Sequence, residues 1–431
     1  MRLERLWSDP VAKRNDAGGI PTAGAVPMIA SSSHHRPFLR PLCAALLLCG
    51  ATAAVADSVT LTELPAPDGY PVAGATNITA DGTVIGVAYP EGLVVRWQPG
   101  AEPEVLGGGM TYTLDNVTPL VSRDGRVIAT TGYFDEDGDA PVAAPEIWIG
   151  GTDWARITGG SALFGSASVF GMSADGNVLA GSAQPAVPPA EGPWPQLPWY
   201  WTEAGGQVPL ALPVDAFGAQ AWAASGDGHV VAGFGQVSPG DFTRYALRWD
   251  DGVPSWITDA EGQRVGQVIG CNSDCSVIVG AGLENGQGDP RAWRWRAGIG
   301  LEYLDLPEGA QPGAVAYAFE SSEDGSVVVG SYVVFDPNLG PTNHGFYWTA
   351  ADGPRDITAF LADWGVEFGA ADWIDLLVVG VTPDGHTLLL SGMDADYRRR
   401  RAIVQVQQDD WIFADGFEGF GPLRAAGGAR Q

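Results

Sequence analysis

Seven times along the chain an apolar run breaks at a short polar turn and then resumes. The copies centre on Thr79-Ala80-Asp81-Gly82, Ser122-Arg123-Asp124-Gly125, Ser173-Ala174-Asp175-Gly176, Ser225-Gly226-Asp227-Gly228, Asn272-Ser273-Asp274-Cys275, Ser322-Glu323-Asp324-Gly325 and Thr382-Pro383-Asp384-Gly385. Each opens onto small apolar residues such as Val178-Leu179 or Val327-Val328. Asp-Gly between apolar segments predicts a β-hairpin with a type I′ turn, whose two central residues take positive φ. Glycine adopts that region without steric cost, and Asp tolerates it better than most residues. The Ser, Thr or Asn two places before each Asp is suited to bond locally to the turn backbone.

The spacing of the turns then decides the architecture. Asp-to-Asp intervals are 43, 51, 52, 47, 50 and 60 residues, a period that marks a propeller or solenoid array. After each hairpin comes a strand carrying Trp97, Trp148, Trp201, Trp249, Trp295 or Trp348, with Ala402-Ile403-Val404 in the seventh place. A short fourth strand follows, as in Glu302-Tyr303-Leu304. Four strands in about fifty residues make one propeller blade. The expected fold is therefore all-β, a seven-bladed β-propeller of four-stranded antiparallel blades. The seventh unit lacks a fourth strand after Val406, while Val59–Leu64 resembles the fourth strand of the other units. Pairing the two closes the ring and removes open sheet edges.

The unit S-x-D-G-x-V-V-x-G, followed by an aromatic strand ending in Trp, resembles the HAF-type extracellular repeat of bacteria. Gly181, Gly233, Gly280 and Gly330 stand at its glycine position, and the segment from Asp356 to Glu367 is similar to the helical insertion before the family's final repeat. The resemblance covers roughly residues 59 to 407. Cys275 departs from it by replacing a turn Gly, the first two units lack the strand Gly, and the seventh lacks the Trp. The resemblance implies an extracellular propeller and carries no catalytic residues.

Residues 28–56 read as a signal peptide: a basic stretch from His35 to Arg40, an apolar core around Leu46-Leu47-Leu48, and cleavage after Ala56 at Ala54-Val55-Ala56. That core is too short to be a membrane span. A lipoprotein built on Cys49 is disfavoured by Leu48, where a small residue is wanted. Residues 1–27 fit no signal peptide and read as a miscalled upstream extension ahead of Met28. The propeller then occupies 57–408 and a tail occupies 409–431. The tail's Trp411–Glu418 stretch resembles a C-terminal segment of exported proteins, or else is a packing strand before a disordered end. The mature chain is expected to be secreted or periplasmic, and a monomer.

Export leaves two cysteines, Cys271 and Cys275, flanking three residues of the fifth hairpin. A local disulfide suits an oxidising compartment. A metal site is a poor fit, since no further ligands are near in sequence. Counting from Asp57 there are 17 Arg, no Lys and 48 Asp plus Glu. So acidic a surface excludes nucleic acid as a partner. The hydrophobic fraction of 45% excludes a disordered acidic chain.

No G-x-S-x-G or H-E-x-x-H motif is present. His229 and His386 follow turns in different units. The ring of turn Asp residues either holds a cation or reflects what this turn prefers. Asp135, Asp137 and Asp139 alternate as Ca²⁺ ligands do, against the reading of a solvated acidic loop. Trp194, Trp199 and Tyr200 lie on or beside a proline-stiffened loop, where exposed aromatics suit sugar or peptide binding and buried ones pack the blade. Arg398–Arg401 is the one basic cluster, read as a solvated loop or a dock for an anion. The expected role is non-catalytic binding or scaffolding, with a protein or carbohydrate partner, through the loops opposite the turns. The alternative is a propeller-type polysaccharide hydrolase or lyase with acidic residues in the central pocket.

Overall fold

The computed structural model describes residues 58–407, apart from 109–117, 135–141, 152, 158–163, 188, 190–191, 241, 284–288, 338 and 367–372. Its strands form seven four-stranded antiparallel sheets, each built from consecutive strands except the last. Blade three is typical, with Phe164–Met172 innermost, then Val178–Pro185, Leu197–Thr202 and Gly206–Pro209. The innermost strand of each blade packs beside that of the next, and the series returns from blade seven to blade one. This is a seven-bladed β-propeller.

Closure follows the expected route. Ser58–Glu63 pairs antiparallel with Arg399–Gln407, with Val59 opposite Val406 and Leu61 opposite Val404. The N-terminal strand is thus the outer strand of blade seven. Trp97 of blade one adds a link, its indole N–H donating to the Pro65 carbonyl at 2.8 Å.

The turns take a different form from the I′ turn expected. Gly82 N donates to the Thr79 carbonyl and Thr79 N to the Thr83 carbonyl, so the loop has three residues, not two. Positive φ falls on Gly82, Gly125, Gly176, Gly228, Gly325 and Gly385 but on none of the preceding Asp residues. This is a type I turn closed by a left-handed residue. The Asp earns its place as an acceptor: Asp175 Oδ1 takes the Ser173 hydroxyl at 2.7 Å and the Asn177 N–H at 3.1 Å. The other copies repeat the pattern around Asp81, Asp124, Asp227, Asp324 and Asp384. Cys275 holds the left-handed position at φ 52°, a conformation disfavoured for a side-chain-bearing residue.

The strand glycines serve a close approach. A Cβ at Gly181, Gly233 or Gly330 would overlap the carbonyl oxygen of Ser168, Gln220 or Tyr317 on the innermost strand. In blade one Gly86, one place earlier in its unit, faces the Gly74 carbonyl in the same way. That unit therefore has its glycine after all, shifted by one residue. Buried Trp97, Trp148, Trp201, Trp249 and Trp348 fill the space between blades. Arginines of one blade lie over the Trp of the next: Arg96 over Trp148, Arg248 over Trp295, Arg294 over Trp348, and Arg401 over Trp97 across the closure.

Candidate functional site

A propeller offers a ligand two faces and a central channel. The turn face is strapped together. Ala80 N donates to the Arg123 carbonyl of the next blade and Arg123 N to that of Ala174, and Gly226–Ser273 and Glu323–Pro383 repeat the link. The side chains at this position add a longer tie. Arg123 of blade two forms an ion pair with Glu323 of blade six, whose other oxygen accepts the Ser273 hydroxyl of blade five. Blades two and six are three places apart around the ring, so this network spans the channel mouth.

Glu320 lies on the innermost strand of blade six, next to a bulge between Ala318 and Glu320. Its carboxylate accepts the Val381 N–H of blade seven at 3.2 Å. Burial pushes this carboxyl up to about 7; the Val381 N–H and the Arg123 charge pull it down without cancelling that effect. Units three, four, five and seven carry Gly171, Ala223, Gly270 and Gly380 at the matching place two residues before the turn, and units one and two carry Asn77 and Leu120. An acid where every other unit has an uncharged residue was the signal in the sequence, and sequence reasoning missed it.

Matching bulges occur in blades one, three, four, five and seven. A bulge re-aims the extra side chain. In blades three, four and six that residue is aromatic: Phe170, Trp222 and Phe319, all half-buried. Phe170 stacks on Trp222 across the blade boundary, centroids 5.4 Å apart and planes within 11°.

The opposite face is made of longer loops and is the more apolar. Eleven large apolar side chains are exposed among the described residues. Nine of them, Val72, Val142, Val187, Trp194, Val214, Phe242, Phe335, Leu339 and Tyr397, lie in these loops or at the strand ends that meet them. Only Val253 and Ile299 belong to the turn face. A pocket of about 150 Å³ lies between blades six and seven near the loop face, lined by Asn343, His344, Asp356, Thr358, Trp373 and Leu376 among others.

The structure sorts the residues singled out from sequence. Trp194 is 42% exposed, Trp199 is fully buried within the blade-three core, and Tyr200 packs against the neighbouring core. Trp199 therefore offers a ligand no surface, because its strand position points it between blades. Cys271 and Cys275 stand at disulfide distance, Cα atoms 5.0 Å apart. Asp135, Asp137 and Asp139 fall outside the described residues, as do the signal segment and the tail. The turn Asp carboxylates are engaged by their own hairpins, which holds Asp81, Asp227, Asp274 and Asp324 below the usual carboxylate range. His229 pairs with Asp251, which raises its imidazole, while His386 faces the Val406 carbonyl.

The basic cluster is not a solvated loop. Arg401 is buried and donates to the Ala73 carbonyl of blade one at 2.8 Å, Arg400 pairs with Glu63, and Arg399 lies over Tyr89. Only Arg398 is left in the loop. The cluster fastens blade seven to the closing strand and to blade one.

Solved structures with this architecture are β-propellers. An oligogalacturonate lyase from Vibrio parahaemolyticus aligns at TM-score 0.50 and 13% identity, covering 81% of this chain and 98% of that one. The β-propeller domain of the trilobed protease from Pyrococcus furiosus aligns at 0.48 and 12%, covering 78% and 98%. A virginiamycin B lyase from Staphylococcus aureus aligns at 0.48 and 12%, covering 81% and 100%. Identities this low show shared fold alone. No family model matches the chain, and no curated protein matches it.

Proposed function

We propose that the protein is an exported, non-catalytic recognition module that holds a protein or carbohydrate partner on its loop face. The observation that carries this reading is the one-sided distribution of exposed apolar side chains, nine of eleven on the loop side. Large exposed apolar patches mark interaction sites, and the loop side is where such side chains collect. The turn face is occupied by its own inter-blade hydrogen bonds and the Arg123–Glu323 pair. Paired cysteines suit an oxidising compartment, and the likeness to HAF-type extracellular repeats belongs with that setting. For the rival hydrolase or lyase, a carboxylate pair would face across a pocket at roughly 5–9 Å. Glu320 and Glu323 instead come from one blade, and Glu323 is held by Arg123 and Ser273.

The test is a binding screen of the full chain against immobilised polysaccharides and exported proteins, with products assayed in parallel for cleavage. Hits should be lost in the triple variant Trp194→Ser, Phe242→Ser, Tyr397→Ser and kept in Val253→Ser, Ile299→Ser. The opposite pattern, or turnover of a polysaccharide, overturns the reading.

A further inference from the structure

The pocket between blades six and seven has two unlike walls. Trp373, Ile374 and Leu376, at the start of the innermost strand of blade seven, supply the apolar one. Asn343 and His344 of the strand Gly340–Thr349, with Asp356 and Thr358 at the head of the short helix Ile357–Asp363, supply the polar one. The polar groups are held in place by their neighbours. Asn343 donates from both its backbone N and its Nδ2 to Asp375 Oδ1, at 2.7 and 2.9 Å. That fixes the amide, and among the described residues its carbonyl oxygen has one long contact, 3.5 Å, to the Ser331 hydroxyl. Asp356 Oδ1 takes the Thr358 and Ala359 N–H groups, and Oδ2 takes the Tyr332 hydroxyl at 3.0 Å.

One gap in this network has the size of a missing atom. His344 Nδ1 stands 4.0 Å from Asp356 Oδ2. That is too long for a hydrogen bond and short enough for a single oxygen to bond to both groups. A hydroxyl there donates to the carboxylate and accepts from the imidazole N–H. The Tyr332 ring, 5.5 Å from that of His344, backs the imidazole and limits its movement. Asp356 and Asp375 make the surroundings unfavourable for an anion. A volume of about 150 Å³ equals some five waters at about 30 Å³ each, so the site takes one small ring or the end of a chain.

We propose that this pocket is a subsite for a neutral polyhydroxylated ligand, a single sugar ring or the terminal ring of a saccharide. The apolar wall covers the C–H face of the ring, and Asn343, His344 and Asp356 bond its hydroxyl edge. The proposal shares with the loop-face reading only the side of the propeller on which it lies, and the two are tested by separate variants.

The experiment is a titration of the full chain with glucose, galactose, galacturonate and methylammonium, followed by NMR at the His344 ring and by calorimetry. A neutral hexose should saturate the site in the millimolar range and shift the His344 resonances. His344→Ala and Asn343→Ala should each weaken it about tenfold, the loss of one or two hydrogen bonds, with thermal unfolding unchanged in His344→Ala and slightly lowered in Asn343→Ala, which also loses its bond to Asp375. Galacturonate should bind more weakly than the neutral sugars. The Trp194→Ser, Phe242→Ser, Tyr397→Ser variant should bind hexose as the parent does, even if the loop-face reading fails. No saturable hexose binding, binding indifferent to both pocket substitutions, or preference for galacturonate or methylammonium over the hexoses overturns the proposal.

Discussion

Glu320 should make the fold less stable as pH rises, and Glu320→Gln should remove that dependence. The carboxyl sits beside the channel with one backbone donor, Val381 N–H, and the Arg123 cation that draws on it is paired with Glu323. An acid raised from 4.5 to about 7 stabilises the fold fully below 4.5, and that contribution is lost as pH climbs through 7. At about 1.4 kcal/mol per tenfold change in proton affinity, the full loss is about 3 kcal/mol. Glu320 is half-buried, so solvent screening brings the expected figure closer to about 2 kcal/mol. Glutamine still accepts from Val381 and does not ionise. Urea denaturation of both proteins at intervals from pH 4.5 upward gives the difference directly, since all other titrating groups are shared. The variant should match the parent at the acid end and exceed it by about 2 kcal/mol at about pH 8. A difference that stays constant across the range would refute the argument.

Two further substitutions probe the repeat itself. Gly330→Ala places a Cβ against the Tyr317 carbonyl and 2.9 Å from Phe346 Cε1; a loss of about 3 kcal/mol or failure to fold is expected, and a near-neutral unfolding midpoint counts against the close-approach account. Cys271→Ser with Cys275→Gly should keep the fold at a net cost within about 1–2 kcal/mol, because a four-residue separation constrains the unfolded chain little and glycine relieves the positive φ. Thiol titration of the unreduced, unfolded parent should find no free cysteine, and two reactive thiols would defeat the staple.

The blade count and the closing strand were legible because both are written in local pattern: seven Asp-centred turns, six of them Asp-Gly, and a Val59–Leu64 segment that copies other fourth strands. The turn type was misread because Asp-Gly fits two loop lengths, and the choice depends on the Asp carboxylate bonding to Ser and to the residue two ahead. Arg123 and Glu323 look like ordinary surface charges in sequence, since nothing local says that turns 200 residues apart meet across an axis. The Arg399–Arg401 run was misread for a related reason. Alternate strand residues face opposite sides, and one side of this strand is the seam with blade one. Trp199 shows the same effect beside an exposed loop, where adjacency to Trp194 suggested exposure and strand register imposed burial. His344 and Asp356 come from adjacent strands, but their relation to Trp373 exists only once blade seven is in place.

The closure has a consequence for the order in which the molecule is made. Ser58 and Gln407 are 349 positions apart and lie side by side. Blades one to six are each built from a continuous segment and can assemble as that segment emerges from the ribosome. The seventh cannot, for among the described strands its outer strand is the first in the chain and its other three are the last. Until Arg399–Gln407 is made, Ser58–Glu63 lacks this partner and the array stays open. The entropic cost of joining them grows only with the logarithm of the loop, so distance along the chain does not weaken the finished ring. It delays it: cooperative stability arrives in one late step, and a ribosome that stalls short of Arg399 leaves an open, sticky arc in place of a partly stable propeller.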